Sequence, residues 1–171
     1  ITPSWSGGRM ALSANLGYLL RKKLNDAAEK KFDIHDKELK ALEPLIQLQK
    51  KLSAVPQQNE LLVELIDTKD GHHLFVYPFE GRLVHEAMAA LLAFRLSKIK
   101  PISFSMAMND YGFELLSDQP IPINDTNVFE LFTEENLLND INQSINSTEM
   151  ARRKFRDIAV IGGLVFQGMP G

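Results

Sequence analysis

Residues 102–116 read Ile102-Ser-Phe-Ser-Met-Ala-Met-Asn-Asp-Tyr-Gly-Phe-Glu-Leu-Leu116. Ile102, Phe104, Met106 and Met108 alternate with Ser103, Ser105 and Ala107, the period-two pattern of a strand with one buried face. Asn109-Asp110 supplies turn residues, and Tyr111 to Leu116 reads as the return strand. An earlier stretch repeats the arrangement. Leu61, Val63 and Leu65 alternate, Asp70-Gly71 offers a hairpin turn, and Leu74 to Phe79 returns. Between the two hairpins, Gly81 to Ser97 is predicted helical, with Leu83, Ala87, Met88, Leu91 and Phe94 on one stripe. Two hairpins joined by one helix predict an α+β fold: an antiparallel sheet of about four or five strands covered by about five helices.

Working outward, residues 12–28 carry Leu12, Leu16, Leu19, Leu20 and Leu24 at helical spacing, with Ser13 or the Gly7-Gly8 pair setting the start. A second helix is predicted from Asp36, its N-cap, to Leu52, with Leu39, Leu42, Ile46 and Leu52 on its apolar stripe. Pro44 lacks an N–H and should kink or restart it. Gln119 to Asn124, with two prolines, reads as loop or edge. Thr133 is expected to cap a helix with Glu134 and Glu135 in its first turn. Asn146 and Glu149 resemble a capping box for a last helix reaching about Gly162.

The chain has 171 residues, of which 44% are hydrophobic and 24% charged, which argues against disorder, and one domain, residues 1–171, is expected. It begins at Ile1 and stops at Met169-Pro170-Gly171 directly after an apolar run, which predicts a piece of a longer protein. The apolar runs Ala87–Phe94 and Ile158–Phe166 are far shorter than the roughly 18 residues of a membrane span. The absence of cysteine excludes disulfides, thiolate zinc sites and cysteine nucleophiles, and fits a cytoplasmic protein.

The net charge is -3, but it is unevenly spread. Residues 1–60 hold ten Lys/Arg against seven Asp/Glu, residues 101–148 hold eight acids and no Lys or Arg, and residues 149–171 hold four basic residues against two acids. An acidic middle therefore lies between two basic ends, and the sign of the total does not exclude a polyanionic partner.

Candidate chemistry is sparse. No GxSxG, GxxxxGK[ST] or GxGxxG is present, so this stretch carries no nucleotide or nucleophile motif. His73, His85 and Glu86 could in principle serve a metal-dependent hydrolase, but none has HExxH spacing. The segment Glu149 to Asp157 reads E-M-A-R-R-K-F-R-D. On a helix, Arg152 and Arg156 share a face and Arg153 meets Arg156 one turn on, while Ala151, Phe155, Ile158 and Ala159 form a buried stripe. Such arginines suit phosphate oxygens, or pair with the acidic middle block. Trp5, beside Arg9, could stack on a base or anchor the N-terminal arm. Tyr111, near a turn, could reach solvent and contact a ligand.

Several stretches together resemble one family. Trp5-Ser-Gly-Gly-Arg-Met-Ala-Leu-Ser13, Glu60-Leu-Leu-Val-Glu64 with Gly71-His-His-Leu-Phe-Val-Tyr-Pro-Phe-Glu-Gly-Arg-Leu-Val-His-Glu86, Asn109-Asp-Tyr-Gly-Phe-Glu-Leu-Leu116 and Ala151-Arg-Arg-Lys-Phe-Arg-Asp157 are similar, in this order, to blocks of bacterial Lhr-type, ligase-associated DEXH-box DNA helicases. At the Gly-Arg-Trp of the core Lhr branch this chain has Gly8-Arg9-Met10. The resemblance implies a DEAD/H-associated accessory domain, C-terminal to RecA-like motor and winged-helix domains. It further implies guidance of single-stranded DNA during ATP-driven 3′-to-5′ translocation in DNA repair. ATP and Mg would belong to the motor domains, so the fragment alone would lack ATPase activity. DNA ligase and nuclease repair partners are implied as well. Residue chemistry adds the candidate DNA contacts: Trp5, Arg9, Arg82, Tyr111, Arg152, Arg153 and Arg156. A docking domain whose basic helix binds the motor or a repair partner is the alternative.

Overall fold

The computed structural model of the chain describes residues 12–29, 36–147 and Ala159. Helices α1 (Ala14–Ala28) and α2 (Lys37–Leu52) come first, followed by strands β1 (Leu62–Thr68) and β2 (Gly71–Tyr77), helix α3 (Arg82–Ile99), strands β3 (Ser105–Met108) and β4 (Phe113–Ser117), and helices α4 (Val128–Leu131) and α5 (Leu137–Ser147). The strands form one antiparallel sheet in the order β1-β2-β4-β3. Both expected hairpins are present, and they join through β2 and β4. The fold is α+β, as the alternation and the intervening helix predict.

Each cross-strand row shows why the sheet has one helix-covered face. Val63, Val76, Phe113 and Met108 lie in register, as do Leu65, Leu74, Leu115 and Met106. The central members of both rows pack with Ala89, Leu92, Ala93 and Leu96 of α3 into the main core. Burying Leu74, Leu96 and Leu115 stabilises the fold by about 1.5–3 kcal/mol each. Helix α5 packs in turn against α3, while α1 and α2 form a smaller core of Ala27, Leu39 and Ile46.

Local capping agrees with the sequence at two points. Ser13 accepts from the Leu16 N–H, and Asp36 accepts from the Leu39 N–H. Elsewhere the structure corrects the sequence reading. Helix α2 continues through Pro44 without restarting. Lys40 and Pro44 are both exposed, a position where water can serve the carbonyl that the missing Pro44 N–H leaves unpaired. The helical stripes are also thinner than expected, since Leu16, Leu19, Leu42 and Leu52 are half-exposed or more.

The first hairpin turns at Lys69-Asp70, with Gly71 already paired to Thr68. In α3, Leu83 and Ala87 face outward, and the buried positions are His85, Ala89, Ala90, Leu92, Ala93, Arg95 and Leu96. That helix is apolar on most of its circumference, so periodicity could not fix its phase. Thr133 does not cap a helix; its hydroxyl accepts from the Glu135 N–H in a turn, and α5 begins later, at Leu137. Asn146 lies inside α5. The expected helix beyond it lies outside the described residues except for Ala159, which is helical and buried. No helix among the described residues is long and apolar enough to cross a membrane.

Candidate nucleic-acid interface

Of the seven candidate contacts, Arg82 and Tyr111 are described, and the fold brings them together. Trp5, Arg9, Arg152, Arg153 and Arg156 lie outside the described residues. Arg82 opens α3 directly after Gly81, which has φ +88, a backbone region that favours glycine. Its backbone N–H donates to Oδ1 of Asp110 at 3.1 Å. Tyr111 follows Asp110 on the β3–β4 loop and is 52% exposed. Phe79, on the β2–α3 loop, packs its ring 6.2 Å from that of Tyr111 at a 60° tilt, and its N–H donates to the Tyr111 carbonyl at 3.1 Å. The Arg82 side chain is exposed and makes no hydrogen bond or ion pair with the described residues.

Two loops far apart in sequence thus form one surface, and His85 ties them together. It is fully buried on the first turns of α3. Its Nδ1 donates to the Asn109 carbonyl at 2.7 Å, while Nε2 accepts from the Glu80 N–H at 3.1 Å. This network assigns the neutral tautomer with its proton on Nδ1. Asn109 then shapes its own loop, its Oδ1 accepting from the N–H groups of Tyr111 at 2.8 Å and Gly112 at 3.0 Å. On the other side, Arg21 of α1 donates to the Pro78 carbonyl at 2.9 Å and pairs with Glu80. Gly17 of α1 lets that helix approach the same loop, because a Cβ there would meet the Phe79 carbonyl oxygen at 2.1 Å.

The sheet face away from α3 adjoins this surface. His73, Phe75 and Tyr77 stack along β2, with ring centroids 5.7 and 6.4 Å apart and interplanar angles of 4° and 17°. His73 Nδ1 lies 2.5 Å from Oε1 of Glu114, and its Nε2 lies 2.8 Å from the Thr68 hydroxyl. Burial, and after it the Glu64 and Glu114 carboxylates, push the Tyr77 phenol up to about 12. A pocket of about 310 Å³ lies between this row and the β3–β4 loop, lined by Phe75, Tyr77, Tyr111 and Glu114 among others.

The metal-hydrolase reading loses its ligands here. Both nitrogens of His73 and both of His85 are already engaged, and no group of three or more potential metal-binding side chains occurs among the described residues. The functional residues that sequence reasoning missed are His85 as a loop tie, Asp110, Asn109 and Arg21. The Asn109-Asp110 pair was visible as a turn. The long-range partners of that turn were not.

Comparison with known proteins agrees with this architecture. The family model described as DEAD/H associated matches residues 55–171. The ATP-dependent helicase Lhr-Core of Methanocaldococcus jannaschii is 27% identical over 172 residues, covering 96% of this chain and 20% of the relative. The ATP-dependent helicase Lhr-Core protein 2 of Thermococcus barophilus is 28% identical over 181 residues, covering 99% and 21%. The chain therefore spans about a fifth of the length of these curated relatives. Among solved structures, the Mycobacterium smegmatis helicase Lhr bound to ssDNA and AMP-PNP shares the fold, with a TM-score of 0.66 and 20% identity over 92% of this chain and 21% of that one. With more than half of its residues matched by the family model, and with two hairpins and a connecting helix carrying the matched blocks, this chain belongs to the DEAD/H associated family.

Proposed function

We propose that the chain is an accessory domain of a longer, Lhr-type, ligase-associated ATP-dependent DNA helicase of a bacterial cytoplasm. In this role it guides a single DNA strand during 3′-to-5′ translocation in repair and performs no catalysis itself. RecA-like motor domains with ATP and Mg, a winged-helix domain, and ligase or nuclease partners complete the setting. The observation that carries the reading is the joining of Arg82 and Tyr111 on one exposed surface through Asp110 and His85. An exposed guanidinium and an exposed ring carried on two joined loops suit a phosphate and its neighbouring base. Support also comes from the similarity to proteins named as ATP-dependent helicases and from a fold neighbour described as bound to ssDNA.

The expected result is salt-dependent binding of single strands. Replacing Arg82 by alanine should lower the slope of log K against log salt by about 0.7, the share of one phosphate contact on a single strand. Fluorescence anisotropy across a salt series reads this directly. An unchanged slope would remove Arg82 from the interface, and no binding at any salt would overturn the reading.

A further inference from the structure

We infer that the pocket beside Tyr111 is a nucleobase subsite in which Glu114 selects bases bearing an exocyclic amino group. This rests on the single-strand reading above. The Phe79 ring already packs against Tyr111, so a base stacking on Tyr111 from the sheet side enters the pocket of about 310 Å³. Phe75 and Tyr77 form its wall, and stacking on such rings is tolerant of sequence.

Glu114 supplies the discrimination. Its Oε1 is engaged by His73, whereas Oε2 has no hydrogen-bond partner among the described residues. An ionised carboxylate only accepts hydrogen bonds. The N4 amino group of cytosine donates, while the O4 of thymine only accepts. No lysine or arginine lines the pocket, so no cationic donor there serves thymine O4 in compensation. The phosphates on either side stay with Arg82, outside the pocket.

The test compares dC12 with dT12, two pyrimidine strands of equal charge, in anisotropy titrations against the 171-residue chain at low salt. The expected result is about fivefold to tenfold tighter binding of dC12. Glu114→Gln keeps a carbonyl oxygen for His73 and places an amide N–H group where Oε2 stood. The dC12 preference should then vanish or invert, while the thermal melt of the variant shows that the sheet is retained. A Tyr111→Leu variant should weaken both strands alike.

Equal affinity for the two strands in the wild type, with binding still sensitive to Arg82→Ala, would overturn the subsite and leave the single-strand reading standing. No binding of either strand would overturn both. If an arginine-rich peptide binds in a Glu114-dependent way while the strands show no preference, the pocket belongs to a cationic protein partner and the inference fails.

Discussion

Replacing Arg95 by methionine should destabilise the fold by about 3–5 kcal/mol, the usual effect of removing one partner of a buried ion pair. Arg95 is only 7% exposed although it sits near the end of an apolar helix. Its Nε donates to Asp140 at 2.9 Å. Nη1 donates to the carbonyls of Leu131 at 2.9 Å and Thr133 at 2.8 Å, and Nη2 to that of Glu135 at 3.0 Å. One side chain thereby fixes the whole turn between α4 and α5 onto α3. Methionine fills similar volume but leaves three carbonyls without their donor. For a chain of this size the melting temperature should fall by on the order of 10 °C, measured by circular dichroism. A shift under about 2 °C would show that the turn is held by other means.

The same cluster sets an acid dependence. The Lys98 ammonium, donating at 2.7 Å, and then the Arg95 guanidinium hold the Asp140 carboxyl below the usual carboxylate range, against the opposing effect of burial. A carboxyl depressed by folding contributes stability above its unfolded value of about 3.9, and that contribution is lost as pH falls toward the folded value. Lys98→Ala removes the largest cause, so the acid-unfolding midpoint should move to higher pH. An unchanged midpoint in a pH-dependent circular dichroism titration would exclude the pair as a determinant.

His85→Leu should have the second largest effect, and should act on stability and on binding together. Leucine removes the partner of the Glu80 N–H and of the Asn109 carbonyl, both part-buried, at about 1–3 kcal/mol each. The loops carrying Arg82 and Tyr111 would then lose their common anchor. Denaturant unfolding should show a loss of about 2–5 kcal/mol. Single-strand affinity should fall more than for Arg82→Ala alone. Intact stability would mean that the two loops are held by Asp110 and Phe79 without the imidazole.

These two residues also show where the sequence was legible. Alternation at Ile102–Met108 and at Leu61–Leu65 identified both hairpins, because one-sided burial writes a period of two into the chain. Ser13 and Asp36 were readable as caps because a cap is a local interaction. The pairing of β2 with β4 was not readable, since it joins residues far apart. Arg95 left a signal in Phe94-Arg95-Leu96, an arginine inside an apolar helix, but its partners come from a turn about forty residues on. His85 drew attention as a possible ligand, whereas its burial made it a strut. Thr133 reads as a helix cap but serves a turn, because capping chemistry and turn chemistry use the same residues. At the interface, Arg82 and Tyr111 could be proposed one by one. Their adjacency depends on Asp110 meeting the start of α3, which only the fold reveals.

The central seam of the sheet has a kinetic consequence. Each hairpin closes over a short stretch, which takes microseconds, but β2 meets β4 across 41 positions, from His73 to Glu114. That closure carries a loop entropy that neither hairpin repays alone, and it requires α3 to be in place. The seam is therefore expected to form late and to govern the folding rate. A variant that weakens α3 exposes the inner edges of two preformed hairpins at once. Those edges are templates for pairing between chains, so aggregation during refolding should report on the seam before any loss of binding is seen.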